Sequence, residues 1–173
     1  DNNYFNLPVV GIEPSCLLTF SDEYQKLKNI KNKDKIKNKF YLLEEFILEE
    51  IKNDNKIKMN KFNQNVLIHG HCHQKSQDRM KGLKNLLSEL NIKNEMIDSS
   101  CCGMAGSFGY DSKNYEVSKK MANLSLIPVI NKSDEKDFII ANGTSCRHQI
   151  SDLSKKEGKH ISELLFQIFE TVN

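Results

Sequence analysis

Each of the five cysteines in this chain falls just past a short apolar, β-branched run and just before a helical pattern. Residues 7–13 read as a strand and precede Cys16, and residues 66–70 read as a second strand and precede Cys72. Residues 94–98 form a short third strand, followed by the adjacent pair Cys101 and Cys102, and residues 138–142 form a fourth, followed by Cys146. Helical patterns lie between and after them, at 21–31, 40–51, 75–90, 113–127, 149–155 and 161–169. Residues 31–39, rich in Lys and Asn, read as a loop, and Pro128 is expected to disturb or end its helix. Strands alternating with helices predict an α/β fold, with a mostly parallel sheet of about four strands flanked by helices. The carboxyl ends of such strands share one edge, where ligands bind. The thiols are therefore predicted to converge there, whereas structural cysteines scatter through strand interiors and helix faces.

An odd cysteine number without a secretory signal argues against a disulfide framework and for metal binding or thiol chemistry. The expected metal ligands are Cys16, Cys72, Cys101, Cys102 and Cys146. Gly103 and Gly106 allow close backbone approach to a cofactor, and nearby amides supply donors to thiolates. Structural zinc prefers spaced Cys-x-x-Cys pairs, and the vicinal Cys101 and Cys102 fit one tetrahedral ion poorly. An iron–sulfur cluster accommodates them more easily, so it is the expected cofactor, with zinc as the alternative. His71, His73, Arg147 and His148 flank the thiols and are candidates for catalytic or substrate contact. Residues alternate in an extended segment, so His71 and His73 are expected on the face opposite Cys72. His69 and His160 carry no motif and read as structural.

Composition excludes several classes. The 173 residues suit one domain, and a net charge of +2 with only Arg79 and Arg147 as arginines gives no nucleic-acid grip. No apolar run approaches the ~20 residues of a membrane span. No Gly-x-Gly-x-x-Gly follows a strand, so no dinucleotide site is expected. A strand this close to Asp1, with no initiator Met, suggests a piece of a longer protein, and the lack of a secretory signal makes a cytoplasmic setting the expectation.

The strings GIEPSC (11–16), HCHQK (71–75), CCGMAGSFGY (101–110) and GTSCRHQ (143–149) resemble the cysteine-rich CCG domain. That domain occurs in a subunit of heterodisulfide reductase and in the iron–sulfur subunits of glycolate oxidase and anaerobic glycerol-3-phosphate dehydrogenase. The wording is most similar to the C-terminal part of fused FAD-linked oxidoreductases of the D-lactate or D-2-hydroxyglutarate dehydrogenase kind. The resemblance implies an iron–sulfur electron-transfer domain, with a [4Fe–4S] cluster here and FAD elsewhere in the parent protein. It implies flavin and ferredoxin-like domains as partners in the same polypeptide. Residues 61–173 would be the CCG repeat and 1–60 the tail of a preceding one. The family's closing Cys-x-x-Cys has Gly143 at its first position here, which leaves four thiolates in the repeat and makes Cys16 an optional fifth. A thiol/disulfide redox site of the heterodisulfide type, a zinc-stabilised binding module and a Cys–His hydrolase built on Cys72 are the alternatives.

Overall fold

The computed structural model describes residues 7–31, 34, 39–53 and 59–169. Its central sheet has three parallel strands, β3 (Val66–His69), β4 (Asn94–Met96) and β5 (Phe138–Ala141), in the order β4-β3-β5. All residues of β3 and β5 are buried, which explains why both read as unbroken apolar runs: such strands are covered on two faces. Val66, Ile68, Phe138 and Ile140 join one core with Leu48, Leu83, Leu87 and Leu164. Leu67, Ile139 and Ala141 join the other, with Leu126, Ile130, Ile150, Cys102 and Cys146. Two of the cysteines thus belong to the packed core of one face.

A second, separate sheet pairs β1 (Val9–Gly11) in parallel with β2 (Phe40–Leu42). The fold is the expected parallel α/β arrangement, but divided between two small sheets. The sequence placed residues 40–42 in a helix because Phe40 continues the apolar face of the residues after it. In the structure Phe40 and Leu42 are buried with Leu17 and Leu18, and the helix α3 (Leu43–Asn53) begins only after them.

Several helix boundaries differ from those read in the sequence. Helix α1 (Pro14–Ser21) occupies residues read as loop, with Glu13 as its N-cap and Pro14 in its first turn, where a missing N–H costs nothing. Short α2 (Glu23–Lys26) follows, and the loop expected at 31–39 lies mostly outside the described residues. The helix expected at 75–90 is split into α4 (Cys72–Ser76) and α5 (Met80–Glu89), with Asp78 at a φ of 54° in the turn between. The next is split into α6 (Tyr115–Asn123) and α7 (Leu126–Lys132). Pro128 sits in the first turn of α7, so the break falls before it, at Leu124 and Ser125. Helix α8 (Thr144–Leu153) begins five positions ahead of its expected start at Gln149, and α9 (Ile161–Ile168) closes the described chain nearly as expected.

Candidate metal centre

The connection after β3 runs to α5, which packs in the first core, while those after β4 and β5 run to α7 and α8 in the second. Chain paths therefore diverge between the carboxyl ends of β3 and β5, the kind of crevice where open parallel sheets bind ligands. His69 ends β3, Cys72 opens α4, and Cys146 is the third residue of α8. Cys101 and Cys102 arrive from the loop after β4.

Four thiols perturb one another in series: Cys72 and Cys101, Cys101 and Cys102, and Cys102 and Cys146. Their acidities alternate along this run. The Cys101 thiol is held far below its usual range by the neighbouring Cys102 and Cys72, and by the backbone N–H groups of Gly103 and Ala105. The Gly103 N–H lies 3.3 Å from its sulfur. Cys146 is lowered to about 5, chiefly by the neighbouring Cys102, with a further contribution from the adjacent His69 ring. Cys72 is pushed up by its contact with Cys101 and by burial, and Cys102 by its contacts with Cys101 and Cys146 and by burial. Four sulfurs this close cannot all ionise against one another without a compensating cation, which is the electrostatic requirement a thiolate-bound metal meets.

Next to the run lies a histidine that sequence reasoning set aside. His69 is 1% exposed; its Nδ1 is 2.8 Å from Ser99 Oγ, and its Nε2 is buried without a hydrogen-bond partner. Its ligand atom and the sulfurs of Cys102 and Cys146 all lie within 4.8 Å of one another. Only its place at a strand end, two residues before His71, could have singled it out.

The loop that carries the cysteine pair is clamped from outside. Gly103 has a φ of 91°, and an added Cβ there would lie 2.3 Å from the Ser118 carbonyl oxygen of α6. Gln149 Nε2 donates to the Cys102 carbonyl at 2.9 Å and to Ser118 Oγ at 2.9 Å, tying loop, α6 and α8 together. Gly106 also has positive φ, at 67°, but a Cβ there would meet nothing within 4 Å. Its carbonyl accepts from Ser145 Oγ at 3.3 Å. Lys75 Nζ donates to the carbonyls of Ser99 and Ser100, bracing the approach to Cys101.

Cys16 reaches the same rim but not the run. It is exposed, in the first turn of α1. Glu13 joins that turn to α8, accepting from the backbone N–H and hydroxyl of Thr144, both at 2.9 Å. Burial works to raise the Glu13 carboxyl, but its bonds from Thr144 and Ser15 prevail and hold it below the usual range. The other expected residues are engaged locally. His71 is the N-cap of α4, with Nδ1 accepting from the His73 N–H at 3.3 Å, so the segment is helical rather than extended and the predicted alternation does not apply. The His71 ring packs where a side chain on Gly143 would stand. Burial lowers its basicity. Arg147 donates to the carbonyls of Ala141 and Asn142 at 3.0 and 2.7 Å, closing the β5–α8 turn. His148 is exposed and meets the Tyr110 hydroxyl through Nδ1.

Behind the rim, Glu44 is 1% exposed and accepts from Gln74 Nε2 at 2.7 Å and Asn142 Nδ2 at 3.0 Å. It links β5 to the capping box of α4. Burial pushes its carboxyl up to about 7.

Fold and site together define a cysteine-rich parallel α/β domain with a metal-capable thiol cluster at the carboxyl edge of its sheet. Residues 66–151 match the family model described as "CCG: Cysteine-rich domain". The chain is 24% identical over 163 residues to a D-2-hydroxyglutarate dehydrogenase of Pseudomonas putida, a match covering 93% of the chain and 15% of the relative. It is 23% identical over 164 residues to a subunit of the anaerobic glycerol-3-phosphate dehydrogenase of Escherichia coli, covering 93% of the chain and 40% of the relative. The chain thus spans less than half the length of each. No solved structure matches it. No helix among the described residues is long and apolar enough to cross a membrane.

Proposed function

We propose that this chain is the iron–sulfur electron-transfer domain of a FAD-linked 2-hydroxy-acid oxidoreductase. The observation that carries the reading is the convergence of Cys72, Cys101, Cys102 and Cys146 on one rim, four sulfurs that could all be ionised together only around a cationic centre. The orphaned His69 nitrogen and the Gly103 turn, which leaves no room for a side chain, fit a site built around a bound group. Vicinal Cys101 and Cys102 suit a centre with more than one iron, to which each can bind separately. When bound, a cluster of this kind accepts and releases single electrons, the chemistry a flavin donor requires of its neighbour. The chain's own part is to hold the thiolates, exclude water with the Leu67–Ile139 face of the core and direct backbone N–H groups at Cys101. Similarity to a D-2-hydroxyglutarate dehydrogenase and to a glycerol-3-phosphate dehydrogenase subunit supports a redox parent protein. Residues 61–173 form the repeat in this reading, and the segment before it supplies the tail of a preceding repeat. A reducing, cytoplasmic setting suits five free thiols.

The test is iron retention in cysteine variants of the anaerobically prepared chain. Cys102→Ser and Cys146→Ser are expected to lose most of the bound iron and the visible charge-transfer absorbance. Cys16→Ser is expected to keep both. Iron content unaffected by loss of Cys102 and Cys146 would sink the assignment.

A further inference from the structure

We propose that His69 is a nitrogen ligand of the metal centre, bound through Nε2 alongside Cys102 and Cys146, with Ser99 fixing its ring. The inference rests on the reading of the thiol run as an iron–sulfur site and adds to it a ligand that is not a cysteine. A buried ring nitrogen without a partner loses its hydration with nothing in return, so a histidine at the end of a fully buried strand needs a reason to be there. His69 is that case: Nδ1 is paired with Ser99 Oγ at 2.8 Å, and Nε2 is buried and unpaired. A ring nitrogen of His69 stands among sulfurs, since its ligand atom and those of Cys102 and Cys146 all fall within 4.8 Å of one another. A metal-bound imidazole characteristically presents one nitrogen to the metal and donates its other N–H to an oxygen that sets the ring's orientation. Ser99 Oγ occupies the second role. Ser99 also precedes Cys101 by two residues, so one loop positions the vicinal thiols and orients the histidine.

The other histidines are placed differently. His71 Nδ1 accepts from the His73 N–H, His148 meets Tyr110, and both ring nitrogens of His160 are paired, with Ser162 and with the Ile12 carbonyl. Among the described residues His69 alone is a histidine with a buried, unpaired ring nitrogen. A neutral imidazole in place of a thiolate leaves the centre one negative charge poorer, which favours its reduced form and raises its potential.

The test is pulsed EPR on the anaerobically prepared chain in its paramagnetic state, with histidine at natural abundance and then labelled with nitrogen-15. A strong nitrogen coupling that changes with the label is expected, retained in His71→Ala and in His73→Ala and lost in His69→Ala. Replacement by a thiolate, His69→Cys, is expected to keep iron bound and shift the midpoint potential downward. Should His69→Ala fail to fold, the labelled wild type and the His71→Ala and His73→Ala proteins still decide the matter. Iron and sulfide present without any histidine coupling would overturn the ligand assignment and leave the cluster reading intact. Coupling that disappears in His71→Ala or His73→Ala would overturn it as well. Absence of both iron and sulfide would overturn the two together.

Discussion

Gly103 and Gly106 share a loop and a positive φ, at 91° and 67°, yet they have different neighbours. A methyl group at Gly103 would collide with the Ser118 backbone oxygen, which cannot swing aside as a flexible side chain could. A methyl group at Gly106 would enter open space. Gly103→Ala should therefore cost on the order of 3 kcal/mol and displace the cysteine pair, whereas Gly106→Ala should cost only the left-handed strain of ~1 kcal/mol. Urea midpoints at equal metal loading check the ranking, and equal losses at the two positions would contradict it. The four thiols of the run were legible in the sequence because each follows a strand of a parallel sheet. His69 was not, since a lone histidine inside an apolar strand has no spacing to advertise it. Its significance comes only from which atoms stand beside its ring, and those come from segments more than thirty residues distant.

Among the elements, helix beginnings were the least legible, and the same physical cause recurs. Helices α1 and α8 start at Pro14 and Thr144 because Glu13, through its bonds to Ser15 and Thr144, satisfies N–H groups at both starts. A cap supplied across 131 residues leaves no local pattern to read. Strand β2 was hidden for the opposite reason, since its apolar residues also continue a helical face. Glu44, at the start of α3, carries a prediction of its own. Its folded carboxyl titrates near 7, against an ordinary value of 4.5, because burial outweighs the bonds from Asn142 and Gln74, with Glu45 nearby adding to the shift. Between those two values the unfolded chain releases a proton that the folded chain retains. Stability associated with this group is thus fully present below pH 4.5, falls as pH rises toward 7, and levels off above it. The full difference is about 3 kcal/mol. Glu44→Gln should flatten that fall relative to wild type in melts taken between pH 5 and 8, whereas parallel curves for the two proteins would show that Glu44 does not titrate there.

At the scale of the whole molecule, the parallel α/β class and the convergence of thiols followed from alternating strands and helices. Division into two sheets did not, because it depends on which strand β1 pairs with, and apolar runs alone do not specify a partner. The consequence for the site is specific. Four cysteines belong to the three-stranded sheet and meet at the divergence between β3 and β5. Cys16 belongs to the smaller sheet, which the Glu13–Thr144 bridge, the Ile12–His160 bond and the Gln77 bonds to α1 join to the larger one. The centre is accordingly expected to be complete without Cys16 and to depend on the sheet that carries the family motif. Whether this rim holds an iron–sulfur cluster is measured most directly as iron and acid-labile sulfide per chain, with an EPR spectrum of the anaerobically prepared protein after reduction. About four of each, with a signal from a reduced cluster, is the result expected for a [4Fe–4S] centre. A single zinc per chain, with neither sulfide nor a redox-active signal, would contradict it.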